Sequence, residues 1–262
     1  MDLGLAGRLA LVTGGSKGIG LAVAAELLAE GAAVAICSRT EPELREAAER
    51  LRAEHPDATV VDVVADVTDP AQVDRLAASV GEALGGLDVL VNNAGGAHPG
   101  NFETLTDADW RGDLDVKLMA QVRCFRAALP WLRRSEAPRV INVNAVYGKY
   151  PDPAFFATTV IRAACLNLNK ALAQEFGAEG ILVNSVNIGF VDTPQWTNIH
   201  NRRAPELGRD EFFARLAADE VPLGRFGRVD EVSGLIAFLA GDRASYITGA
   251  MIDVAGGMGK YV

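Results

Sequence analysis

The feature that most constrains this chain is a glycine cluster caught between a strand and a helix. Residues 9–12 form a short apolar run of strand character. Thr13-Gly14-Gly15-Ser16-Lys17-Gly18-Ile19-Gly20 follows at once, and residues 21–28 then take up helical spacing until Gly31 breaks it. Glycine at such a junction permits a tight turn and lets the backbone approach a ligand closely. The free N–H groups and the dipole of the helix start then favour a pyrophosphate. A glycine cluster alone is a weak signal. Here it has the strand–turn–helix context that a dinucleotide-binding motif requires.

The same alternation continues along the chain. Strand-like runs at 33–36, 60–64, 89–91, 140–143, 182–186 and 251–254 are separated by helical patterns at 43–54, 72–84, 156–176 and 229–239. Strands joined by helical crossovers demand a parallel sheet with right-handed connections and both faces covered. The expectation is an α/β fold with a doubly wound, Rossmann-like sheet. No Pro/Gly/Ser-rich linker divides the 262 residues, so residues 1–262 read as one domain. The segment 191–223 is an insertion in this pattern, charged and carrying Trp196, His200, Phe212 and Phe213. It lies where ligands bind in such sheets, beyond the carboxyl end of a strand, and reads as a substrate lid; an ordinary surface excursion is the plainer alternative.

Composition removes several functional classes. A formal charge of −9, with no basic run and no aromatic–basic interleaving, argues against nucleic acid or an anionic membrane as partner. Cys37, Cys124 and Cys165 are odd in number and sit in apolar segments, so buried free thiols and a reducing compartment are expected. His55, His98 and His200 are scattered without metal-ligand spacing, and no metal is expected. Neither a secretory leader nor an apolar run of about 18 residues is found, which points to a cytoplasmic protein.

Together with Asn92-Asn93-Ala94-Gly95, the glycine spacing resembles the short-chain dehydrogenase/reductase family, and the likeness extends over nearly the whole chain. Ala65-Asp66-Val67 resembles the family's adenine contact, with Asp66 accepting from the exocyclic amine. Asp192-Thr193-Pro194 resembles the segment whose threonine, here Thr193, holds the nicotinamide carboxamide. The stretch from Val221-Pro222-Leu223-Gly224-Arg225 to Gly256-Gly257 resembles the acyl-carrier-protein ketoreductase-like branch. Ile188-Gly189 stands where the family usually has Pro-Gly. The resemblance implies a nicotinamide dinucleotide bound by Gly14, Ser16, Lys17, Gly18, Ile19, Gly20, Asp66, Val67, Asn93, Ala94, Gly95, Arg162 and Thr193. It also implies a homotetramer or homodimer through the helix at 156–176, whose alanines allow close approach. Enzymes of this fold that prefer NAD usually carry an acid at the end of the second strand. Ser38 stands there instead, followed by Arg39, and Lys17 lies in the turn, so NADP(H) is expected.

The catalytic positions of that family are replaced. Counting back from Lys170-Ala171-Leu172-Ala173-Gln174-Glu175 puts Thr158 at the usual Tyr and Arg162 at the usual Lys. Counting from Asn142-Val143-Asn144-Ala145 puts Ala145 at the usual Ser. Ala145 and Thr158 are thirteen residues apart, the family's spacing, so no gap hides a Tyr. Lys117 takes the place of the Asn. An aliphatic hydroxyl is a far weaker acid than a phenol, so the standard mechanism is unavailable. Candidate substitutes are Tyr147 as proton donor, Lys117 as an acid tuned by burial, Arg162 as a cofactor or oxyanion contact, and Asn144 if its side chain turns inward. Three functions remain open: an oxidoreductase for a small carbonyl, imine or enone with a rearranged proton donor; a non-catalytic NADP-binding or partner subunit; and non-redox catalysis in the same pocket.

Overall fold

The computed structural model describes residues 1–259. Seven parallel strands form one sheet in the order β3-β2-β1-β4-β5-β6-β7. They are β1 (Leu9–Thr13), β2 (Ala33–Ser38), β3 (Val60–Val64), β4 (Val89–Asn92), β5 (Arg139–Ala145), β6 (Leu182–Ile188) and β7 (Met251–Val254). The central strands are buried almost throughout, as in a parallel sheet covered on both faces. Around it pack α1 (Gly18–Ala29), α2 (Glu41–Glu54), α3 (Pro70–Leu84), α4 (Asp107–Leu114), α5 (Ala120–Leu132), α6 (Phe156–Phe176), α7 (Pro194–Arg203), α8 (Arg209–Glu220) and α9 (Asp230–Ala240). One apolar cluster lies on the α1, α2 and α9 side and another beneath α3 and α5. The expected single-domain, doubly wound α/β fold is the one observed.

Helix ends follow local chemistry. Asp69 accepts from the N–H groups of Ala71 and Gln72 and Pro70 opens α3, which stops at Gly85 with φ of 81°. Thr106 and Asp109 form a reciprocal capping box at the start of α4. From there α4 runs through one wide π turn, Asp115–Met119, into α5. That turn opens the helix where Lys117 sits and carries its side chain into the interior, where it is fully buried. The burial expected of Lys117 as a candidate acid is observed, but behind the cleft wall rather than in the cleft.

The segment 191–223, expected as a substrate lid or a surface excursion, carries the two helices α7 and α8. Trp196, Phe212 and Phe213 are buried against Phe190 and Phe226, so the segment is anchored through an aromatic cluster. Cys37, Cys124 and Cys165 are free and buried, and burial pushes the Cys37 thiol up to about 12. Among the described residues, no cluster of His, Cys, Asp or Glu could hold a metal, and no helix is long and apolar enough to cross a membrane.

Candidate active site

Strand order reverses at β1, since the chain moves outward to β2 and β3 and then crosses back to β4. A cleft of about 730 Å³ opens at this switch point, beyond the carboxyl ends of the strands. Of the residues expected to bind a dinucleotide, Gly14, Ser16, Lys17, Gly18, Ile19, Ser38, Arg39, Asp66, Val67, Asn93, Ala94, Gly95, Arg162 and Thr193 all line it. Gly20 lies behind the wall.

The turn fits a dinucleotide. Gly14 has φ of 66°, and a Cβ there would lie 3.0 Å from the Ala94 Cα. A Cβ on Gly20 would lie 2.2 Å from the Gly14 carbonyl oxygen, so the helix could not approach the turn with any larger residue. No side chain caps the first N–H groups of α1, which leaves them free for a phosphate. Asn93 serves as a clamp on this turn: its Nδ2 donates to the carbonyls of Thr13 and Gly14 at 3.0 and 3.1 Å. At the adenosine end Lys17 pairs with Glu43 at 2.8 Å, and Arg39 lies 3.9 Å from Asp66.

The opposite end is built on α6. Thr158 and Arg162 are one turn apart, hence on one face of the helix, and both line the cleft. Arg162 is buried and its Nη1 donates to the Val143 carbonyl at 3.0 Å and to Asn144 Oδ1 at 2.9 Å. Its Nε has no partner. Gly95 lies against the guanidinium, where a Cβ would come 3.2 Å from Nη2. Burial lowers the Arg162 pKa from its ordinary value. Asn144 does turn inward. Its Oδ1 also accepts from Gln121, and its Nδ2 donates to Ser185 Oγ at 2.9 Å. Ser185 then donates to Asn187, which donates to Asp253, both at 2.7 Å. A row of amides and one hydroxyl thus crosses from β5 to β7 and fixes the guanidinium.

Behind Thr158 lies a pair of buried charges. Lys117 and Asp113 form an ion pair one helical turn apart, each almost inaccessible to water. Lys117 Nζ donates to Thr158 Oγ1 at 3.3 Å, and Thr158 Oγ1 donates to Asp113 Oδ2 at 3.1 Å. Lys117 does not line the cleft; Thr158 stands between it and the open space. Burial, and then the charge of Arg162, pull the Lys117 ammonium below its usual range, while the Asp113 carboxylate works against that pull. Sequence reading missed Asp113. The spacing of four residues to Lys117 was the available signal.

Tyr147 lines the cleft and stacks on Phe155 at 5.2 Å between ring centroids. Burial, followed by the charge of Asp152, raises its phenol above the ordinary value, so it holds its proton more tightly than a free tyrosine.

Comparison with known proteins agrees with this geometry. Residues 14–259 match a family model described as enoyl-(acyl carrier protein) reductase. The chain is 32% identical over 252 residues to 3-oxoacyl-acyl-carrier-protein reductase FabG of Staphylococcus aureus, covering 96% of this chain and 98% of the relative. It resembles the NADPH-bound structure of a short chain oxidoreductase of Pseudomonas aeruginosa PAO1 that contains an atypical catalytic center. That likeness has a TM-score of 0.91 and 37% identity, over 97% of this chain and 98% of the other. It also resembles L-sorbose reductase of Gluconobacter frateurii complexed with NADPH and L-sorbose, with a TM-score of 0.94 and 31% identity over the full length of both chains. A glycine turn at the switch point, a cleft reaching from β2 to α6 and full-length similarity to reductases lead to one conclusion: the chain belongs to the short-chain dehydrogenase/reductase family.

Proposed function

We propose that this chain is an NADP(H)-dependent oxidoreductase acting on a small carbonyl, imine or enone. In this reading Thr158, backed by Lys117 and Asp113, manages the proton, and Arg162 stabilises developing negative charge. The observation that carries the reading is the placement of Thr158, which lines the cleft and whose hydroxyl is hydrogen-bonded to both members of the buried ion pair. Cofactor choice is supported by Lys17 and Arg39 at the adenosine end, where Ser38 replaces an acid. The NADPH carried by the similar Pseudomonas and Gluconobacter proteins supports it too.

When bound, the dinucleotide supplies or accepts the hydride. The chain's task is the proton and the charge. Thr158 cannot act alone, because an aliphatic hydroxyl is too weak an acid. It acts as a relay: the hydroxyl turns its proton from Asp113 to the substrate oxygen or nitrogen, gives it up there and takes one from the Lys117 ammonium. A Lys117 whose pKa is lowered releases that proton more readily. After the transfer Lys117 is neutral, and the remaining charges of Asp113 and Arg162 cancel, so the buried cluster does not end with excess charge. Arg162 lines the cleft and offers a fixed positive charge to the developing anion without giving up a proton.

Absorbance decay of NADPH against a panel of small ketones, β-ketoacyl thioesters, quinones and imines tests the reading. Turnover of at least one class is expected. Tight NADPH binding with no turnover of any class would transfer the weight to a non-catalytic cofactor-binding role.

A further inference from the structure

The cleft is electrically asymmetric, and the asymmetry reaches beyond the cofactor. The carboxylates that line it are Glu43 and Asp66, both at the adenosine end and both beside a cation. The substrate end is lined by Arg162, Arg202 and Arg203, and no carboxylate lines it among the described residues. This occurs in a chain with a formal charge of −9. Neighbouring Arg209, by contrast, is held by Asp192 and Asp210.

Arg203 is placed rather than loose. Its guanidinium lies over the Phe155 ring, 5.4 Å from the centroid, and Phe155 stacks on Tyr147, which lines the same wall. Arg202 and Arg203 occupy the last turn of α7, where positive charge also suits the helix dipole. Helix stability alone does not explain why both residues line the cleft while Arg209, Arg215, Arg225 and Arg228 are tied to acids.

Resting on the oxidoreductase reading above, we propose that the substrate carries an anionic group, a carboxylate close to the reacting centre, received by Arg203 and Arg202. A planar guanidinium matches a carboxylate in two-point geometry, and a focused positive end in an acidic protein draws such a ligand from solution. Phe155, beneath Arg203, opens α6 three residues ahead of Thr158, and that placement suits a small oxo acid. It does not suit the phosphate at the far end of a pantetheine arm.

The test uses acetoacetate, 4-oxopentanoate and 2-oxobutanoate, each against its methyl ester, with saturating NADPH. At least one acid is expected to exceed its ester tenfold in kcat/KM. Replacing both arginines (Arg202→Gln with Arg203→Gln) is expected to reduce that ratio at least tenfold, through the KM of the acid. A ratio that survives in the double variant overturns the proposal, as does an ester that equals its acid. So does a preference for phosphopantetheine thioesters over all three acids. If none of the six compounds is reduced, calorimetric titration of the acids into the NADP+-saturated protein separates the two readings. Binding weakened tenfold by the double variant retains the anion site while the redox reading fails. No binding to the unaltered protein removes the anion site.

Discussion

At one end of the cleft the cations face acids; at the other they face carbonyl oxygens, amides, rings or open space. Lys17 and Glu43 are half-exposed, and such a pair contributes at most about 1 kcal/mol. Exchanging Glu43 for the 2′-phosphate of a cofactor therefore costs little, and the pair is a resting arrangement rather than a barrier. Arg162 is different. It is buried, and its partners are the Val143 carbonyl and the Asn144 amide, neutral groups that orient it without cancelling its charge. A cation thus does two things: paired with an acid it is exchangeable, and held by amides it is a fixed positive charge.

The largest expected effect breaks the buried ion pair behind Thr158. Asp113→Asn leaves Lys117 buried without its counter-charge and should cost about 3–5 kcal/mol of stability, measured by urea unfolding. An unfolded Lys117 keeps its proton to about pH 10.4, whereas the folded one gives it up at lower pH. Between those values the unfolded chain binds more protons, so stability rises with pH. The variant should be weakest in acid and recover as pH rises, more steeply than the unaltered chain. A loss independent of pH would mean that Lys117 is not the group responsible.

A smaller effect tests whether neutrality of the amide row matters. Asn144→Asp keeps the shape but sets a carboxylate against Arg162. Turnover should fall at least tenfold while NADPH affinity, measured by fluorescence titration, changes little. Unchanged turnover would show that a compensated arginine serves equally well, and the contrast between the two ends would lose its meaning.

The smallest effect lies at the compensated end. NADPH should bind at least tenfold more tightly than NADH, since one charge-assisted contact is worth about 1.5–3 kcal/mol. Arg39→Asp should abolish or reverse that preference without altering the rate at saturating cofactor. Equal affinities in the unaltered protein would remove the 2′-phosphate assignment.

The two ends also differed in how legible they were. The glycine turn could be read because its signal is local: a strand, a turn and a helix start within a dozen residues. Thr158, Arg162 and Ala145 could be aligned with the family because their spacing is preserved. What stayed hidden depended on distant packing. Lys117 reads from the sequence as an acid tuned by burial, but its partner Asp113 and the burial of both as a pair behind Thr158 depend on contacts between α4, the π turn and α6. The helices α7 and α8 were concealed by charges on a segment whose aromatics fold inward. Tyr147 is at the cleft as expected, but the Phe155 stack and the raised phenol set it apart from the acid a sequence reading would choose. Asn144, read as a conditional substrate contact, is committed to Arg162, Gln121 and Ser185.

Thr158 joins the buried charges to the cleft, so its replacement tests the account most directly. Thr158→Val keeps the volume and removes the hydroxyl that receives from Lys117 and donates to Asp113. The measurement is the single-turnover rate of NADPH oxidation with the best substrate, beside NADPH affinity on the same preparation. The account predicts a rate at least tenfold lower with affinity within about twofold of the unaltered chain, the scale of a lost general acid. An unchanged rate would contradict it, and would move the proton to another group at this end of the cleft.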